Sequence, residues 1–599
     1  MYEGQYLPNE TYNDVFAKMK STVMSQSPAP ALKDSIAVPS KGYAIIKFKA
    51  DNPGYWFFHC HFMYHLATGM AVIFKALFKL GYITESFNEN SYLQPNRVTL
   101  AQFNSANRNS NLCARNCVAN ESPKTCYYRL VAEDYVTMGP ACGNCPTNTA
   151  DCTASQCVVA DGIEKSIKTF NRMLPGPSIE VCLGDRIVVD VTNNVAGEEL
   201  TVHWHGIWQR GTQYMDGVPM VTQCPIHEGQ TFRYDFIANN PGTHYYHTHT
   251  GLSKLDGLEG TLIVRNPKDS NRNTYTIDDP EHVINIMDWM NTTAGSRFPG
   301  LYNGQAGQLP STFLPQGQGR PKPGTTRAAP PPYKEFWVKR GERYRFRLIG
   351  GMCTVCGVEV RVEGHTMLLI ATDGADINPV TVSSVMLFSG ERYDVVINAN
   401  QTGGGTYWMH FRGLAECSTP ETEIYQLAVL RYEGTNQARP TAPGYRANFS
   451  PQGTIANPQN ASCGTNQGGV CVSQLQGSVP DTENVLRRNA TFNLNFQFGF
   501  HIFEANRRQD LYNNGQYKRY FVAPDQTTLT SWMNNISFVT TPAPILSQGQ
   551  EVASSIYCPS NTRTGLPTCP ANTGEDYCEC AYVIKIPCGE IVQIFLTDA

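Results

Sequence analysis

The chain has 599 residues, with 47 Lys and Arg against 51 Asp and Glu, a formal net charge of -4 and only 16% charged residues. That balance offers no basic surface for nucleic acid. No stretch is long and apolar enough to cross a membrane, since Gly69 to Tyr82 is short and broken by Lys75 and Lys79. The length allows three or four domains, or fewer if they are large, and 50 Gly and 38 Pro among many Val, Tyr and Phe point to a β-rich, loop-rich protein.

Met1 to Lys18 is polar and lacks the apolar core of a secretory signal, so the natural start of the polypeptide is expected to lie elsewhere than Met1. The stretch Asn52–Met70 follows, with His59-Cys60-His61, then His65 and Met70. Side chains alternate faces along a strand, so His59 and His61 point one way and Cys60 the other. One strand could thus hold two metal centres joined by a few covalent bonds. Cys60 with His65 and a weak axial Met70 supplies most of a blue-copper site, which takes two His, one Cys and a distant thioether. The plainer alternative is a buried Cys beside two core histidines. Residues 77–112 are rich in Asn and Ser and read as a linker that, as flexible coil, spans ~35 Å.

Seven of the 20 cysteines fall between Cys113 and Cys157, including Cys142 and Cys145 three apart. A zinc ribbon would need a second matched pair. Twenty cysteines instead predict disulfides and a secreted protein, in agreement with Asn-x-Ser/Thr sequons at Asn9, Asn120, Asn291, Asn400, Asn448, Asn460, Asn489 and Asn535. With Cys60 set aside nineteen remain, so one thiol is expected to lack a partner within this sequence.

Two kinds of segment recur. Opening strands are Gly-acidic followed by alternating apolar residues: CLGDRIVVDVT from Cys182, KRGERYRFRLI from Lys339 and PCGEIVQIFLT from Pro587. Closing strands are ADNPGYWFFHCH from Ala50, ANNPGTHYYHTH from Ala238 and GTYWMHFR from Gly405. Each opening and closing pair would bound one β-sandwich. Two sandwiches are whole, at about 113–268 and 269–440. A third is divided between 441–599 and 1–76, which docks back as its missing part. The Pro- and Gly-rich run Gln316–Tyr333 reads as a surface loop of the middle unit.

HWHG places His203 and His205 on one strand face, and HTHTG does the same for His247 and His249. With His59 and His61 these make six histidines able to converge, a number that suits a metal cluster rather than one ion. His244 has the opposite parity and reads as structural. His227, His282, His365, His410 and His501 are also assigned to structure. His410 aligns with His247, but Arg412 stands where His249 would be, so the middle unit is expected to hold no metal.

HCHFMYHLATGM, HWHG and HTHTG resemble the copper signatures of multicopper oxidases, specifically laccases of the insect (arthropod) type. The resemblance extends through FNRMLP from Phe170, MDGVPMVTQCP from Met215, EGHTM from Glu363 and SGERYD from Ser389, and covers nearly all of residues 113–599 and 35–75. It implies an all-β fold of three cupredoxin-like Greek-key β-sandwich domains and up to four copper ions. By position, His203 would bind type 2 copper, and His205, His247, His249, His59 and His61 the binuclear type 3 pair. Cys60 and His65 would bind type 1 copper, with Met70 axial. Asp216 matches an acid that relays protons to the cluster, or is a turn residue before Gly217. Glu416 matches an acid near the phenol pocket, where it could accept the phenolic proton, or is a solvated loop residue.

The family's His-Pro-x-His-x-His-Gly motif, one ligand to each copper type, follows the last opening strand. Here the strand from Pro587 runs to Ala599 and no His-x-His occurs after position 249, so three ligands that the resemblance implies are expected to be absent: type 1 is one imidazole short and the cluster has six of its eight. The expectation is a join across tandem genes, or a circular permutant that has shed the motif. The implied activity is oxidation of diphenols and related aromatics coupled to reduction of O2 to water, by a secreted monomer with no transmembrane segment. The rival readings are a copper-poor, inactive homologue acting as an extracellular binding or structural protein, and a ferroxidase.

Overall fold

A computed structural model describes residues 2–5, 12–22, 29–77, 113–297, 309–322, 330–419, 423–440, 453–458, 469–479, 485–503, 528–562, 564–569 and 577–598. All but Leu77 of the expected linker lies outside these residues, as do the sequons at Asn9, Asn448 and Asn460. The chain is mostly β and cupredoxin-like. No helix among the described residues is long and apolar enough to cross a membrane.

The strands pack as three sheet pairs. In the first, Thr231–Ile237, Arg186–Asn194, Thr125–Val136 and Ser166–Phe170 form one sheet, and Gly176–Cys182, Glu259–Arg265, Gly242–Thr248 and Val202–His205 the other. Alternation in Arg186–Asn194 turns Ile187, Val189 and Val191 into a core shared with Trp204, Phe236 and Tyr246. Gly242–Thr248 is buried along its whole length. Its Tyr246 face belongs to that core, while Tyr245 packs with Ile263, Val283 and Ile349 against the middle sheet pair.

The middle pair has six- and seven-stranded sheets around Phe346, Leu369, Phe411 and Leu430. It meets the first pair through a buried ionic network. Asp394 Oδ2 lies 2.5 Å from Arg345 Nη2 and 3.0 Å from Arg347 Nη1, and Asp394 Oδ1 accepts from Thr243 Oγ1 at 2.7 Å. Asp394→Ala removes a carboxylate shared by two buried guanidinium groups, which keep Asp269 (Arg345) and Asp278 (Arg347) as partners, and is expected to cost about 1.5–3 kcal/mol, read as a lower thermal midpoint with an unchanged circular dichroism spectrum at room temperature.

The third pair draws on both ends of the chain. Gly42–Lys49 is flanked by Tyr2–Gln5 and by Ile591–Asp598, antiparallel to each, with Tyr43 opposite Thr597 and Lys49 opposite Ile591. The facing sheet joins Gly54–His59, Ala71–Ala76 and Val583–Ile586. Ala44, Val72, Ile584, Val592 and Ile594 fill the space between.

Cysteine pairing follows the secretory expectation and removes the zinc alternative. Cys142 bonds Cys157 and Cys145 bonds Cys152, inside one short loop. Cys113–Cys126, Cys117–Cys182, Cys356–Cys417, Cys558–Cys580 and Cys569–Cys578 are also closed. The expectation of one partnerless thiol is corrected: besides Cys60, Cys224, Cys353 and Cys588 are free. An odd count fixes only that an odd number is left over. Cys353 is buried among Met63, Tyr64, Leu255, Met290 and Ala294, where it behaves as a small hydrophobe.

Candidate metal centre

His203 and His205 lie on Val202–His205, paired antiparallel with Gly242–Thr248, so that His203 stands opposite His247. Gly54–His59 of the third sheet pair ends at His59, and the chain then turns through Cys60 and His61 into the short helix Met63–Ala67. This brings six imidazoles together across the two units. Ligand atoms of His61, His205 and His247 all lie within 4.8 Å of one another. His249 Nε2 is 3.2 Å from His59 Nε2. The His203 ring centre is 5.7 Å from that of His205, 5.5 Å from that of His247 and 5.4 Å from that of His249.

Outer contacts hold the rings. His59 Nδ1 is 3.0 Å from the Cys60 carbonyl oxygen, His247 Nδ1 2.9 Å from that of Thr248, and His203 Nδ1 2.7 Å from that of Asp216. Carbonyls only accept, so in each case Nδ1 carries the proton and Nε2 keeps its lone pair. His247 Nε2 is buried with no hydrogen-bond partner. An orphaned lone pair at the middle of an imidazole cluster is what a bound cation satisfies.

Burial lowers His59 to about 4 and His205 to about 3, and holds His61, His247 and His249 well below the ordinary 6.5. His203 goes the other way: burial opposes it, but the Asp216 carboxylate, with Oδ1 3.5 Å from Nδ1, raises it. In metal-free protein the unfolded chain takes up protons near pH 6.5, while the folded imidazoles resist them down to about 4 or below. The stability these five imidazoles contribute is therefore fully present above pH 6.5 and falls on acidification toward pH 4, by roughly 2–3 kcal/mol each for His59 and His205 at pH 4.5, while the raised His203 contributes in the opposite sense. Thermal midpoints of chelator-treated protein across that range measure this, and a flat profile would contradict it.

Behind the cluster, Cys60 turns into the core of the third unit. Its Sγ is 3.5 Å from His65 Nδ1, and its amide donates to the Met70 carbonyl at 3.1 Å. Met70 is buried beside it. Burial pushes the Cys60 thiol up to about 12 and His65 down to about 4. Residues from the far half of the chain clamp the turn: Ser531 Oγ donates to the His65 carbonyl at 2.7 Å, and Thr530 and Ser537 hydroxyls to the Thr68 carbonyl at 2.8 and 3.0 Å. Gly69 sits at φ +112 where a Cβ would lie 2.1 Å from Ser537 Oγ, which only glycine tolerates. Imidazole and thiolate donors of this kind fit copper.

Other candidates lie apart. His244, buried, faces Asn240 and Gly206 rather than the cluster. His282 contacts the Trp337 carbonyl and His365 the Tyr432 hydroxyl. His227 lies 3.5 Å from Glu199, and His501 stacks on Tyr577. His410 Nε2 lies 3.0 Å from Glu363 and Arg412 2.8 Å from Glu359, so contacts to carboxylates stand where the aligned unit has ligands. Glu416 is exposed on the turn Ala415–Ser418. The adjoining Cys417–Cys356 disulfide ties that turn to the loop whose Cys353 carbonyl accepts from Met63, two residues before His65. Sequence reasoning did not find Lys33, Asp34, Ser35, Tyr245, Ser389 or Arg392, which contact the cluster or its neighbours across units.

Three family models described as multicopper oxidase match residues 9–77, 151–269 and 281–435, together more than half of the sequence. The chain belongs to the multicopper oxidase family, and copper is its metal. It is similar to Laccase-5 of Trametes villosa, 36% identical over 295 residues, which are 47% of this chain and 53% of that protein. It is also similar to a laccase of Trametes hirsuta, 32% identical over 354 residues, 56% of this chain and 63% of that protein. The chain thus spans little more than half the length of these relatives. The solved laccase of Botrytis aclada superposes with a TM-score of 0.52 at 25% identity, covering 71% of this chain and 68% of that one.

Proposed function

We propose that this chain is a laccase of the arthropod type, a diphenol:O2 oxidoreductase that removes electrons singly from phenolic or related aromatic substrates and passes them to O2, forming water. The observation that carries this reading is the meeting of the His203/His205 and His247/His249 pairs with His59 and His61, with Cys60 bonded between the last two. Copper bound here supplies the one-electron redox chemistry. In the reading, Cys60, His65 and Met70 hold type 1 copper, His203 type 2, and His205, His247, His249, His59 and His61 the type 3 pair. The peptide bonds on either side of Cys60 give its sulfur a short covalent path to two cluster ligands.

Asp216, its carboxylate beside His203 and its carbonyl on the same ring nitrogen, would hold a proton at the cluster. Glu416 would take the phenolic proton as the electron leaves. Five sequons, at Asn120, Asn291, Asn400, Asn489 and Asn535, have exposed side chains, and with the disulfides they support a secreted glycoprotein; that it acts as a monomer is a further part of the proposal. The division into domains at 113–268, 269–440 and a third combining 441–599 with 1–76 is part of the same proposal.

The deciding experiment loads the purified chain with copper and follows visible absorption, O2 uptake and oxidation of a diphenol. Blue colour with phenol-dependent O2 uptake supports the laccase. Copper-loaded protein without colour or turnover would favour the inactive extracellular homologue, and preference for iron(II) over phenols would favour a ferroxidase.

A further inference from the structure

The middle unit supplies none of the six imidazoles, yet one of its turns reaches two of them. Ser389 Oγ lies 2.7 Å from His61 Nδ1, 2.5 Å from the Met352 carbonyl oxygen and 3.3 Å from the carbonyl of His61 itself. A serine hydroxyl has one proton, and a carbonyl can only accept. The short contact to Met352 takes that proton, so Oγ faces the ring as an acceptor. His61 Nδ1 must then carry the hydrogen, leaving a lone pair on Nε2. The Tyr245 hydroxyl, 3.1 Å from Nε2, is placed to donate to it.

The same logic, mirrored, applies to His205. Its Nε2 is 3.1 Å from Ser35 Oγ, and Ser35 Oγ is 3.0 Å from Asp34 Oδ1. Arg392 grips both Asp34 oxygens, at 2.5 and 2.6 Å, so Asp34 is an acceptor for the Ser35 proton. Ser35 therefore accepts from His205 Nε2–H, and the lone pair lies on Nδ1. The strap bearing Asp34 and Ser35 is itself fastened to the middle unit. Lys33 Nζ lies 3.3 Å from Asp373 and 3.1 Å from Glu391 with its side chain fully buried, and the Asp34 and Ser35 amides both donate to Asp373 Oδ2 at 3.1 Å. Gly390, at φ +84, lets the turn come this close: a Cβ there would lie 3.0 Å from Ser35 Oγ, 3.1 Å from His205 Cε1 and 3.3 Å from His61 Cδ2.

We propose that the turn Phe388–Arg392 is a positioning device that sets opposite tautomers on two cluster imidazoles, presenting Nε2 of His61 through Ser389 and Nδ1 of His205 through Arg392, Asp34 and Ser35. The inference rests on the reading of the cluster as a copper centre, but its first test does not need copper. In the metal-free full chain carrying isotope-labelled histidine, ring-nitrogen NMR should report Nδ1–H for His61 and Nε2–H for His205. Ser389→Ala should release the His61 tautomer and leave His205 alone, Ser35→Ala should do the reverse, and Ser389→Thr should restore the wild-type His61 signal. Copper competition against a chelator should then show about 10- to 100-fold weaker binding for the two alanine variants. Wild-type tautomers in both alanine variants, or Ser389→Thr as impaired as Ser389→Ala, would overturn the proposal. If Ser389→Ala does not fold, Ser35→Ala decides. A wild-type chain with the expected tautomers that binds no copper would instead overturn the reading of the centre.

Discussion

Serine in place of Cys60 is expected to remove all colour from the copper-loaded chain and reduce phenol-dependent O2 uptake to background, while the cluster keeps its copper. A hydroxyl is a hard donor that does not replace a thiolate for copper. The substitution also breaks the route from sulfur through the peptide bonds to His59 and His61. Cys60 forms no disulfide and serine differs from it by one atom of similar size, so the substitution should leave the fold in place. Copper stoichiometry, visible absorption and O2 electrode traces check the result together. Unchanged colour would remove Cys60 from the type 1 role.

Copper binding is expected to fasten residues 29–77 to the rest of the protein. His59 and His61 approach a cluster whose other members belong to the first sheet pair, so a metal held by both is a cross-link. A ligand that binds only the folded state stabilises it by about 4 kcal/mol at a thousandfold excess over its dissociation constant. The loaded chain should therefore show a higher thermal midpoint and slower proteolytic release of the early segment than chelator-treated protein. His247→Ala should abolish most of that difference, because it removes the buried, unpartnered nitrogen at the centre of the cluster. Equal digestion rates with and without metal would contradict a bridging role.

Strand parity made much of the centre legible. In ANNPGTHYYHTH it put His247 and His249 on one face and His244 on the other, and the structure places them so, with the His247 and His249 rings stacked 5.8 Å apart. The turn after His59 did not disturb this, because His61 still lies on the cluster side, 5.9 Å from His59 between ring centres. Parity in the cysteine count was less informative, since it cannot separate one leftover thiol from three. What no local pattern could give is the contribution of Ser389 and Arg392. Ser389 meets His61 across 328 positions and Arg392 meets Asp34 across 358, and although both sit in SGERYD, nothing in its spacing names those partners. Such contacts depend on how whole sandwiches dock, a property of surfaces rather than of periodicity.

The pairing of Gly42–Lys49 with Ile591–Asp598 has a consequence for biosynthesis. The Lys41 amide bonds an Asp598 carboxylate oxygen 557 positions later, about as non-local as a contact in this polypeptide can be. At 5–20 residues per second the ribosome needs roughly half a minute to two minutes to deliver the late strand after the early one. Throughout that interval the early strand's apolar side chains and unpaired edge amides have no permanent neighbour, while the two intervening sandwiches can already close. Non-local pairings of this kind fold slowly and invite aggregation, so the yield of folded protein should depend more on chaperone supply than it does for a protein whose sandwiches are completed in order.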